Sequence, residues 1–88
     1  MLRISVTDVS EKTIRLRVEG WLVGAWVEEL RLQTQTAFSQ AKALSLDLEK
    51  LWFVDPQGAA LLRELARRNV AQLNCSPFID QQLKETAL

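Results

Sequence analysis

The chain has 88 residues, 48% of them apolar and 25% charged, which leaves room for one domain with a thin burial margin and none for a cleft between two lobes. Eleven basic residues balance eleven acidic ones, so no overall field draws the chain to nucleic acid, and no apolar run approaches bilayer-spanning length. The absence of histidine and the single Cys75 exclude an intrachain disulfide, the usual zinc ligand sets and every histidine-based acid/base mechanism. The expectation is one folded domain over residues 1–88, cytoplasmic, not inserted in a membrane, and needing no cofactor.

Leu2, Ile4 and Val6 alternate with Arg3, Ser5 and Thr7. After a polar turn over residues 8–12, Ile14, Leu16 and Val18 alternate with Thr13, Arg15, Arg17 and Glu19, which predicts an antiparallel hairpin. Gly20 and Gly24 bracket the apolar stretch Trp21, Leu22 and Val23. Beyond it, Trp26, Val27, Leu30, Thr34, Ala37, Phe38 and Ala41 share one stripe of a long helix, with Glu28 and Glu29 near its positive end. Leu44, Leu46 and Leu48 then mark a strand with one buried face, Ser45 and Asp47 lying on the other. Asp55 followed by Pro56 is a helix start: the carboxylate accepts from free amides of the first turn, and proline fills a slot that needs no donor. That second helix has a core stripe of Ala59, Leu62, Leu65 and Ala66, joined by Leu61, and spaces Glu64 and Arg68 for a surface pair. Ala71, Leu73 and Cys75 alternate with Gln72 and Asn74 as a short fourth strand. Ser76 and Pro77 repeat the start signal, so Phe78, Ile79 and Leu83 anchor a third helix that frays towards Leu88.

The order β-β-α-β-α-β-α, with strands apolar on one side only, predicts an α/β two-layer sandwich: a mixed four-stranded sheet with its helices on one face. Arg3, Arg15, Arg17, Ser45, Asp47 and Gln72 then line an open face. Among the aromatics, Trp26 is expected in the core, while Trp52 and Phe53, adjacent on a strand-like run, point to opposite faces. Cys75 reads as a small core residue. No nucleophile-base pair, metal set or phosphate-binding glycine loop is present, so an enzyme is not expected.

With these elements in place, the chain resembles a STAS domain, the module shared by bacterial anti-sigma-factor antagonists and the cytoplasmic tails of sulfate transporters. The resemblance rests on Leu46, Asp47 and Leu48, on the run from Phe53 through Asp55, Pro56, Gln57 and Gly58 to Leu62, and on the turn Cys75, Ser76, Pro77, Phe78. Longer members carry a further strand and helix. In the antagonists, the residue after the loop aspartate is a serine or threonine that a partner kinase phosphorylates. That position is Pro56 here, and the next is Gln57; neither accepts phosphate.

The resemblance implies a non-catalytic protein-interaction module without the usual switch, docking through Trp21, Leu22, Val23 and Gly24, through Asp55, Pro56, Gln57 and Gly58, and through the exposed side of the second helix. Its partner would be an anti-sigma factor or serine kinase-like protein; the alternative is the ATPase or permease of an ABC-type lipid transporter, served by a small cytoplasmic STAS subunit. An exposed sheet edge beside the first strand offers a route to a homodimer.

Overall fold

The computed structural model describes residues 1–85. Strands β1 (Leu2–Val9) and β2 (Thr13–Leu22) form the expected antiparallel hairpin, in register from Leu2 opposite Gly20 to Val9 opposite Ile14. A bulge between Val6 and Asp8 keeps Val9 on the same face as Val6. Ser10 closes the turn, its Oγ accepting from the amides of Lys12 and Thr13 at 3.3 and 3.1 Å. Helix α1 (Ala25–Ser39) leads to β3 (Ala43–Asp47), which lies parallel to the first half of β2. Strand β4 (Leu51–Val54) lies parallel to the last residues of β2 and is followed by α2 (Pro56–Arg67). Strand β5 (Ala71–Leu73) joins β3 in parallel, and α3 (Pro77–Glu85) follows it.

Across the sheet the order is β1-β2-β3-β5, with β4 paired to β2 beyond the end of β3. The helices cover one face. Leu16, Val18 and Leu22 of β2, with Leu44 and Leu46 of β3, are buried against Val27, Leu30 and Ala37 of α1 and Leu61, Leu62 and Leu65 of α2. Burying a leucine side chain is worth about 2 kcal/mol, so the three in α2 together outweigh any cap or surface pair in docking that helix.

The sheet has five strands, not the four expected from alternation. Leu51–Val54 is short and bulged: Gly20 faces Leu51, Trp21 faces Phe53, and Trp52 is the extra residue. The bulge turns both Leu51 and Val54 inward, so Trp52 and Phe53 do not take opposite faces; Trp52 is 60% exposed and Phe53 half-buried beside Trp21. The far edge of β4 is covered by α3, where the Gln82 side-chain amide donates to the Val54 carbonyl oxygen at 3.2 Å and accepts from its amide at 3.5 Å.

Other expectations fail at the margins of elements. Helix α1 ends at Ser39, and Ala41 sits exposed in a left-handed turn (φ 56°), outside the stripe assigned to it. Trp26 is 40% exposed, because the buried stripe is Val27, Leu30, Thr34 and Ala37. Ala66 is exposed; Gly58, Ala59, Leu61, Leu62 and Leu65 form the buried side of α2. Strand β5 has the opposite phase to that read from sequence: Gln72 stands opposite buried Leu46, faces the helices rather than the open side, and donates to the Leu62 carbonyl oxygen at 2.6 Å. Ala71 is exposed, and Cys75 lies past the strand, packed on the core. Phe78 is 58% exposed, leaving Ile79 and Leu83 to anchor α3. Glu64 pairs with Arg31 at 3.1 Å, not with Arg68, whose guanidinium covers the Phe38 ring at 4.1 Å. The expected fraying at Leu88 lies outside the described residues.

Candidate functional site

The corner where β2 runs into α1 is fastened to the start of α2 by one side chain. Asp55 caps α2: its Oδ1 accepts from the Gly58 amide at 2.7 Å, with Pro56 in the first turn. Its Oδ2 accepts from the Gly24 amide at 2.9 Å, so a single carboxylate spans two elements that are 31 residues apart in sequence. Gly58 is needed for close approach. A Cβ built on it would lie 2.5 Å from the Leu22 carbonyl oxygen and 3.0 Å from Leu22 Cγ.

This packing sorts the residues singled out from sequence. Leu22 is fully buried and belongs to the core, so it offers no contact to a partner. Trp21 is the penultimate residue of β2, not part of a loop, and its side chain turns to the open face beside Phe53, ring centroids 5.9 Å apart. Val23 is half-buried, Asp55 is half-buried under its two amides, and Gly58 is buried. Pro56 and Gln57 are exposed at the tip.

Beside that tip, Gly24, Val27, Glu28, Arg31, Gln57 and Ala60 surround a hollow of about 360 Å³ between α1 and α2. Arg31 bridges its wall, with Nε 3.4 Å from Glu28 and Nη1 3.1 Å from Glu64. These exposed pairs add little stability and chiefly fix the charge pattern presented there. From sequence, Glu28 was named only as a charge at the helix start and Arg31 and Ala60 not at all; the i, i+3 spacing of Glu28 and Arg31 was the one signal available for that pair.

The carboxyl end of β3 holds a second carboxylate. Asp47 is 7% exposed; its Oδ1 accepts from Asn74 Nδ2 and from the Glu49 amide, both at 3.1 Å, and Arg17 Nε lies 3.6 Å from Oδ2. The hydrogen bond from Asn74, then that from the Glu49 amide, hold its carboxyl below the usual value near 3.8, with Arg17 adding to them against the opposing effect of burial. At Cys75, burial and then the charge of Asp80 push the thiol up, which leaves less thiolate for chemistry. No described helix is long and apolar enough to cross a membrane.

No family model matches the sequence, and no curated protein matches it significantly. Its backbone is similar to that in the structure of the anti-sigma factor antagonist SpoIIAA in its unphosphorylated form, with a TM-score of 0.67 and 28% identity, over 93% of this chain and 82% of that one. Over nearly its whole length the chain thus has the fold of that antagonist, a two-layer STAS fold with helices on one side of a mixed sheet.

Proposed function

We propose that this protein is a non-catalytic interaction module, related in action to anti-sigma factor antagonists, that engages a protein partner through Val23, Gly24, Pro56 and Gln57 and the hollow between α1 and α2. The observation that carries this reading is the corner itself. Asp55 rigidly presents an exposed tip beside a concave, charge-patterned surface, and a rigid surface loses little entropy on binding. Pro56 occupies the place where the resemblance puts a phosphorylated hydroxyl, so the tip keeps its shape without a phosphoryl switch. A partner held there is released by competition or concentration, not by modification of residues 55–58. The same feature favours a second reading, persistent docking as an accessory subunit of an ABC-type lipid transporter.

Pull-down from native lysate with solubilised membranes, using the wild-type chain and Gln57→Arg as paired baits, tests both. Loss of a partner with the variant supports the tip as the interface. A soluble kinase or anti-sigma factor supports the first reading, and an ATPase with its permease supports the second. A partner held equally by both baits overturns the placement.

A further inference from the structure

The open face of the sheet divides into two unlike halves. In one, the polar groups satisfy each other: Arg17 pairs with Asp47, and Arg15 Nε donates to Ser45 Oγ at 3.3 Å. In the other, Trp21 and Trp52, 55% and 60% exposed, stand with Met1 around a hollow of about 420 Å³ over the backbone of Gly20. Arg3, Glu19 and Lys50 line the same hollow. Arg3 and Glu19 face each other across the β1–β2 ladder, yet neither they nor Lys50 form an ion pair among the described residues. A solvated sheet face does not need two indoles half in water, and exposed tryptophan, methionine and arginine together have the composition of an interface centre.

We infer that this aromatic half of the open face is the contact between two copies of the chain, packed sheet against sheet about a two-fold axis. An isologous contact sets each residue of one copy against its counterpart's partner, so a surface must complement itself. This one does: it joins apolar Met1, Trp21 and Trp52 to one carboxylate, Glu19, and two cations, Arg3 and Lys50, in a chain of zero net charge. A two-fold turn brings Glu19 of each copy to a cation of the other. The helix side, with the Asp55 corner, stays free in such a dimer, so this contact does not depend on the partner surface proposed above.

Sedimentation equilibrium over a range of concentrations tests the inference. The wild-type chain should move from 10.0 kDa towards twice that mass. Trp52→Glu should weaken association by about tenfold or more while its circular dichroism spectrum and melting curve stay those of a folded domain. Glu19→Arg and Arg3→Glu should each be monomeric alone and should form a heterodimer when mixed, which general apolar stickiness does not predict. A wild-type chain that stays monomeric throughout overturns the inference. So does a dimer indifferent to all three substitutions, which would move the contact to the β1 edge, or capture of an anionic vesicle by this face of a monomer.

Discussion

Two aspartates close the carboxyl ends of β3 and β4, the two strands that lie parallel to β2 along one of its edges, and they do so differently. Asp47, at the end of β3, is nearly buried and gathers a side-chain amide, a backbone amide and a guanidinium from three other places in the chain. Asp55, just past β4, is half-buried and binds only backbone amides, those of Gly24 and Gly58. The difference separates fastening from presentation. Asp47 knits the sheet's own strand ends together beneath the surface. Asp55 holds two turns at fixed spacing so that the residues beside it, Pro56 and Gln57, stand out in a defined shape.

The sharpest way to break the Asp55 corner is to crowd it. Gly58→Val puts a branched side chain against the Leu22 carbonyl, and the first turn of α2 must lift; a loss of about 3 kcal/mol in urea unfolding is expected. Asp55→Ala removes the cap and the tie to Gly24 together. It should cost about 2 kcal/mol, and amide exchange should rise at Gly24 and Gly58 while β3 stays protected. At Asp47 the expected signature is in pH. Its folded pKa lies below its unfolded one, so its contribution is fully present above the unfolded value near 3.8 and is lost as pH falls through the folded one. Asp47→Asn should therefore give a melting temperature lower than wild type at neutral pH, with the gap closing under acid; a constant gap would show that Asp47 acts through shape alone. The smallest effect is expected far from both carboxylates. Ala41→Gly relieves a left-handed alanine (φ 56°) between α1 and β3 and should stabilise by about 0.5 kcal/mol, part of the gain being offset by the freer unfolded chain.

Most of the architecture was legible because its signals are local. Alternation at Ile14, Leu16 and Val18 and at Leu44 and Leu46 placed the hairpin and the central strand, and Asp55 followed by Pro56 placed the start of α2. What escaped the sequence was decided by neighbours. The bulge at Trp52 breaks the period of two, so β4 carries no alternation to read. In β5, three residues are too few to fix a phase, and buried Val70 and the pairing of Gln72 with Leu46 set it. Trp26, Ala66 and Phe78 all lie at helix margins, where burial depends on whether another element happens to cover them. The candidate site was half legible. The tip at Pro56 and Gln57 stood out as a departure from the resembling family, whereas the hollow next to it exists only once α1 and α2 lie side by side.

Strand β2 pairs with β1 on one edge and with both β3 and β4, end to end, on the other. Three of the four other strands thus have no place to form until β2 is laid down, and only β1 reaches it through a short turn. Ile14 and Leu44, which pair in the parallel ladder, are 30 residues apart, so that ladder must wait for a long loop to close. The hairpin is then the template of folding and the parallel strands are late arrivals. Substitutions in β2 should slow refolding, whereas those in β4 should mainly hasten unfolding.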